Sequence, residues 1–301
     1  MSHVPVLLSE VLGVLSPKDG ERCLDCTFGG GGHTRALLDA SDCCVSAIDR
    51  DPDAEARAAP LKEEYGNRFD FSICRFSEIA DKFAECRRFD VVLFDFGISS
   101  FQVDECDRGF SFSKDAPLDM RMSKSGASAR DVVNSFAEGE LADIIWTYGE
   151  EHASRKIAAA IVAARKEGTI ETTVQLADIV RKSVGFGTTN KKYSKLDAAT
   201  KTFQALRIFV NDELREISDA LAQLPQILND GARVAMISFH ALEGRVVKNW
   251  AAANKPHFSP INKNVIKPSL AEIRKNPRSR SAVLRSFAYN DRGDVAVGGG
   301  A

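Results

Sequence analysis

The sequence predicts an α/β fold in which a mainly parallel sheet is interrupted by an all-helical insertion. Three observations carry that prediction. The first third alternates short apolar runs with helical stretches, the rhythm of strands joined by crossover helices. The rhythm stops after about Gln102, and from Arg130 to Ser183 only helical periodicity remains. A further buried-strand pattern at 232–239 then follows a long amphipathic stretch. That strand has no sheet to join unless the chain returns to the first one.

Taken in order, 22–28, 44–49, 69–74 and 89–96 read as strands, being short, rich in β-branched or aromatic residues, and closed by Asp or Gly. They are apolar enough to be covered on both faces. The stretches 34–38, 52–65 and 77–86 are the intervening helices. Helices are expected over 132–136, 141–148, 152–166 and 174–183, followed by a looser stretch at 185–195. One long helix is expected over 198–224, because Phe203, Leu206, Val210, Leu214, Ile217 and Leu221 recur every three or four positions. Asn229-Asp230-Gly231 is expected to close it with a turn. After the strand at 232–239 comes a helix at 241–253, and the glycine-rich tail at 293–301 is expected to be disordered. The expected domains are 1–105 and 198–292 for the sheet and 106–197 for the helical insertion.

Composition narrows the function. A chain of 301 residues, 44% hydrophobic, is long enough for one large domain or two ordinary ones. Lys+Arg 40 against Asp+Glu 42 excludes a uniformly basic nucleic-acid coat and an acidic disordered chain, so a polyanion must be met by local patches. No apolar run is long enough to span a membrane, and the N-terminal stretch lacks the cationic start of a signal peptide. An odd set of 7 cysteines in a large chain fits reduced thiols in a cytoplasmic protein.

The densest chemical signal is Asp25-Cys26-Thr27-Phe28-Gly29-Gly30-Gly31-Gly32-His33, a strand running into a glycine loop and then a helix. Ligands of open α/β sheets bind outside such strand ends. Thr34 breaks a dinucleotide fingerprint, and Gly32-His33-Thr34 is not a P-loop, so a pyrophosphate cradle and a nicotinamide oxidoreductase are disfavoured. Asp49, at the end of the second strand, suits two ribose hydroxyls, although alone it would serve equally as a helix cap. Phe76 follows the third strand and Asp95 ends the fourth. A ribose acid, a stacking ring and a polar strand end suit S-adenosylmethionine, which carries adenosine without phosphate.

Cys23 and Cys26 have the spacing of a zinc half-site, but within a strand their side chains point to opposite faces. No cluster completes four ligands, and no metal is expected. Two stretches are locally basic. One holds Arg181, Lys182, Lys191, Lys192, Lys195, Lys201 and Arg207 against Asp197; the other holds Lys263, Lys267, Arg274, Lys275, Arg278, Arg280 and Arg285 against Glu272. Such an excess is the footprint of a phosphate backbone, or else a solvated helix face.

At this point the residues resemble the RsmH/MraW family, the bacterial small-subunit ribosomal RNA cytosine-N4 methyltransferases. The resemblance runs from about Pro5 to Phe287 through 25–33, 47–52, 95–100, 108–122, 148–151, 199–214, 237–248 and 276–285. The block at 108–122, with Arg-Gly-Phe-Ser-Phe and Pro-Leu-Asp-Met-Arg-Met, is the most specific. Cys26 stands where glycine is usual, Phe101 where proline is, and Asp197-Ala198 where His-Pro is common. Ala241 and Gly244 interrupt a usual His-Ser-Leu-Glu-Asp run. The resemblance implies a class I (Rossmann-like) S-adenosylmethionine-dependent methyltransferase with an inserted helical domain. Its substrate would be a single decoding-site cytidine of 16S ribosomal RNA in the small subunit. By position, Gly31, Gly32, His33, Asp49, Phe76, Asp95 and Gln102 would hold the cofactor. Asp95 would accept hydrogen bonds from the cytosine amine, and His240 would orient the base or relay the proton. Arg108, Arg121, Lys191, Lys192, Lys201, Arg207, Arg278 and Arg280 would contact RNA. The sequence leaves a homodimer open. The competing reading is a non-catalytic RNA-binding assembly factor on the same fold.

Overall fold

The computed structural model describes residues 5–84, 88–185 and 197–292. The chain divides into two compact units, 1–97 with 214–301, and 98–213.

The first unit is built on seven strands: β1 (Arg22–Asp25), β2 (Cys44–Asp49), β3 (Phe69–Ile73), β4 (Phe89–Asp95), β5 (Leu228–Ser238), β6 (Phe258–Pro260) and β7 (Val283–Tyr289). Their order is β3-β2-β1-β4-β5-β7-β6. The first five are parallel, and β7 runs antiparallel to both β5 and β6. Side chains alternate across the sheet as strand geometry requires. Cys23, Val91, Leu93, Ala235 and Ile237 enter one core with the helices Leu8–Leu15, Gly32–Ala40 and Ala54–Tyr65. Leu24, Val92, Phe94, Val234 and Met236 enter the other, under Glu213–Ile227 and Ala241–Ala253. Cys23 and Cys26 accordingly lie on opposite faces as free thiols, and burial pushes the Cys26 thiol up.

The second unit is helical: Ser100–Asp104, Ala129–Ser135, Glu138–Gly149, Ser154–Glu167, Thr173–Ser183 and Thr200–Asn211. Leu118, Val132, Leu141, Ile145, Ile157, Leu176, Phe203 and Leu206 share its core. Ser128 and Thr172 start two of the helices by accepting from Asp131 N and Gln175 N, with an acid or amide completing each capping box. At Gly149 two helices approach so closely that a β-carbon would lie 2.7 Å from the Lys201 carbonyl oxygen.

Three expectations are corrected. The single helix over 198–224 is two, because Asp212 adopts a left-handed conformation with φ 51°. Aspartate tolerates that region better than most residues, while the apolar stripe runs through the break without a gap. The helix before the break packs in the helical core and belongs to the unit 98–213. Asn229-Asp230-Gly231 lies inside β5, where the register with β4 shifts between Phe89 and Val91. The strands β6 and β7 and the helix Leu8–Leu15 were not expected at all. Among the described residues no helix is long and apolar enough to cross a membrane. The tail at 293–301 lies outside the described residues.

Candidate active site

The parallel strands end together, and their register fixes what meets at that edge: Asp25 stands beside Ala47 and Leu93, and Asp95 beside Ile237. From β1 the chain enters the glycine loop. Gly31 has φ 76°, and a β-carbon there would lie 2.8 Å from the Phe28 ring, so both conformation and space demand glycine. The loop then opens the helix Gly32–Ala40, carrying His33 in its first turn.

Carboxylates tie this loop down. Asp49 Oδ2 accepts from Gly29 N at 2.7 Å, and its Oδ1 accepts from Asp51 N at 2.9 Å. Arg57 Nε donates to the Gly29 carbonyl at 2.8 Å. A carboxylate offers about four lone-pair directions, so Asp49 keeps acceptor capacity after closing the loop. Burial raises its carboxyl above the usual range, against the hydrogen bonds from Asp51 and Gly29. Asp25 is fully buried and accepts from Thr34 Oγ1 at 2.7 Å and Thr27 N at 3.0 Å. Burial likewise raises its carboxyl.

Between these anchors sits a polar pair. His33 Nε2 lies 3.6 Å from Asp95 Oδ2, and the Asp95 backbone is held in place by its N–H, which donates to Thr27 Oγ1 at 2.7 Å. Among the described residues, neither ring nitrogen of His33 nor Oδ1 of Asp95 has a hydrogen-bond partner, although all three atoms are buried. A buried polar atom left unpaired costs about 1–3 kcal/mol, which a ligand with matching groups removes. The residues present therefore fit a polar ligand laid against the glycine loop. Phe76, half-buried after β3, sets its ring edge-on to Phe94 and Phe96 at 6.1 and 6.2 Å.

A model of the MraW methylase family matches residues 1–290. The chain belongs to that family. Two relatives, both called ribosomal RNA small subunit methyltransferase H, extend the likeness. The one from Rickettsia canadensis (strain McKiel) is 45% identical over 304 aligned positions, covering 95% of this chain and 97% of the relative. The one from Rickettsia massiliae (strain Mtu5) is 46% identical with the same coverage. The α/β fold is thus that of a Rossmann-like methyltransferase, and S-adenosylmethionine is its methyl donor.

The structure brings Gly31, Gly32, His33, Asp49 and Asp95 to one edge of the sheet, and Phe76 follows the next strand end. Gln102 belongs to the second unit, where its Oε1 accepts from Ser99 N at 3.1 Å and closes a capping box. His240 caps the helix Ala241–Ala253: its Nδ1 accepts from Glu243 N at 3.4 Å, and its Nε2 lies 3.0 Å from Glu243 Oε1. Glu243, fully buried, also accepts from Phe239 N at 2.6 Å.

Several residues expected to contact RNA have internal partners. Arg108 is 8% exposed and donates to the carbonyls of Arg121 and Met122 at 3.0 and 2.8 Å. Arg121 grips Asp119 through Nε and Nη2 and the Gly126 carbonyl through Nη1. Arg207 makes a two-bonded pair with Glu213 at 2.8 and 2.9 Å. Lys201 donates to the Glu150 carbonyl at 2.9 Å and lies 3.8 Å from Glu151 Oε2, its side chain partly exposed. Arg278 and Arg280 stand exposed on the turn Pro277–Ser281. Lys191 and Lys192 lie outside the described residues.

Two residues were missed by the sequence reading. Asn211 is buried and sews the 108–122 block in place, donating to the Met120 carbonyl at 2.7 Å and accepting from Met122 N at 2.8 Å. Thr27 fixes the backbone at Asp95. Asn211 sits on the apolar-striped helix as an isolated polar residue, a signal that periodicity alone discards.

Proposed function

We propose that this chain transfers a methyl group from S-adenosylmethionine to the N4 amine of a decoding-site cytidine in 16S ribosomal RNA of the small subunit. The names of the relatives support small-subunit ribosomal RNA as the substrate, the resemblance of the sequence supports the decoding-site cytidine, and the strand-end geometry supports the chemistry. When bound, the cofactor supplies an activated methyl group on a sulfonium. Gly31 and Gly32 would present their backbone to it, Asp49 offers its remaining lone pairs to ribose hydroxyls, and Phe76 offers a ring near the adenine.

The cytosine amine is conjugated with its ring and is a weak nucleophile. The protein must hold it in line, about 3–3.5 Å from the reacting carbon, and accept its N–H bonds. Asp95 Oδ1, buried and without a hydrogen-bond partner, is the observation that carries this reading. His33, with Nε2 3.6 Å from Asp95 Oδ2, closes one side of that carboxylate. The target base must leave its stack to reach such a site. Lys201, Arg278 and Arg280 are assigned to the RNA backbone, the last two exposed on the turn Pro277–Ser281.

The test is transfer of labelled methyl to small subunits isolated from cells lacking this protein, followed by nucleoside analysis. Wild-type protein yields N4-methylated cytidine at one site. Asp95→Ala retains its fold by circular dichroism and loses transfer. Label in another nucleoside, or full activity in Asp95→Ala, overturns the assignment.

A further inference from the structure

Beside the proposed active site, a cavity of about 410 Å³ opens at the end of β5. Ser238 and His240 contribute from the end of β5. Gly244, Arg245 and Lys248 contribute from the helix that follows, and Arg285 from β7. No residue lining it is acidic.

Arg285 gives the cavity its character. The guanidinium is half-buried, and burial alone pulls it below its ordinary range. Its contact is a long one, 3.4 Å from Nη1 to Ser238 Oγ, and among the described residues no carboxylate pairs with it. A cation partly removed from water and left with a weak neutral acceptor is an unbalanced arrangement, which an anion in the cavity corrects. The planar fork of arginine matches two oxygens of a phosphate at once, and the nearby ammonium of Lys248 adds charge without geometric demand. Gly244 keeps the space open. A β-carbon there would lie 3.5 Å from Arg285 Nη1 and 3.6 Å from Ser238 Oγ, so any longer side chain would enter the cavity.

Its position suits a nucleotide. Asp95 is in register with Ile237, and Ile237 with Leu284, the residue before Arg285. The cavity therefore lies about 10 Å from Asp95 along the strand-end edge, two strand spacings away. Alternation sends Asp95 to one face and Arg285 to the other, so a ligand touching both passes over the edge of the sheet. A base and its backbone phosphate have that reach.

We infer that in this chain, where Gly244 stands in place of the family's usual aspartate, this cavity seats one backbone phosphate of the RNA, adjacent to the nucleotide being modified. The inference rests on the reading that the substrate is RNA. The decisive variant is Gly244→Asp, which removes no cation and places a carboxylate against Arg285. Gly244→Asn is its uncharged counterpart of equal volume. A short fluorescent single-stranded RNA is titrated against each protein over a range of salt, and S-adenosylhomocysteine affinity is measured by calorimetry. Gly244→Asp weakens RNA binding about tenfold and lowers the slope of log affinity against log salt by about 0.7, the signature of one lost phosphate contact on a single strand. Gly244→Asn keeps the slope, and all three proteins bind S-adenosylhomocysteine equally. Arg285→Met reproduces the Gly244→Asp slope. A folded Gly244→Asp protein with the wild-type slope overturns the cavity assignment while leaving methyl transfer to RNA intact. Wild-type protein that neither binds the RNA nor labels small subunits overturns the RNA reading, and this inference with it.

Discussion

Asp49 joins the cofactor loop to the sheet, and replacing it separates two roles that one carboxylate performs. In Asp49→Ala the backbone N–H groups of Gly29 and Asp51 lose acceptors held at 2.7 and 2.9 Å. Each such bond to a charged group contributes about 1.5 kcal/mol, so their loss costs about 3 kcal/mol. Removing a carboxylate whose charged form burial disfavours returns part of this. The net destabilisation is then about 2 kcal/mol, a fall in Tm of roughly 4–8 °C by the usual scaling for a chain somewhat smaller than this one. Cofactor affinity falls further, because the ribose hydroxyls lose their acceptor and the loop its geometry. A loss of about 1–3 kcal/mol corresponds to about 5- to 150-fold. Asp49→Asn retains a single acceptor oxygen and falls between the two proteins on both measurements. Differential scanning fluorimetry gives the first quantity and calorimetry with S-adenosylhomocysteine the second. An unchanged Tm in Asp49→Ala refutes the loop-anchoring role. Unchanged affinity in a destabilised protein refutes the ribose role alone.

Other substitutions test the rest of the framework. Arg108→Met leaves two carbonyls without their donor and lowers stability by about 2–4 kcal/mol; thermal unfolding checks this, and RNA affinity measured well below the transition stays unchanged. Gly149→Ala would stabilise an open helix position by about 1 kcal/mol, yet here it destabilises by about 1–3 kcal/mol, because its methyl meets the Lys201 carbonyl. Denaturant titration reads the sign. Asp25 makes stability pH-dependent: burial raises its folded pKa above an unfolded value of about 3.9, so its contribution is full below pH of about 4 and declines as pH rises through the raised value. Asp25→Asn removes that segment of the pH–stability curve, and an unchanged curve counts against a carboxyl raised by burial.

Local pattern was enough to locate much of this protein. The apolar runs that became β1 to β4 announced a parallel sheet because a strand covered on both faces has few polar positions to spare. The loop at Gly29–Gly32 announced itself as a run of glycines between strand and helix, and at Gly31 the positive φ with the Phe28 ring against it gives the reason for glycine. Asp49 and Asp95 were legible as strand-terminal acids, since parallel strands must end at a common edge.

Pairing over distance was decided only by the tertiary structure. The segment at 283–289 becomes a strand between β5 and β6 because β5 supplies its hydrogen bonds, and no local feature names that partner. The helix break at Asp212 is silent because a left-handed residue need not interrupt the apolar stripe. Arg108, Arg121 and Arg207 look like RNA-binding cations in one dimension, and the fold gives them carbonyl and carboxylate partners that one dimension does not show. Sequence records where charges and apolar faces lie; which charges remain available depends on what folding sets within about 3 Å of them, and that is a property of the assembled chain.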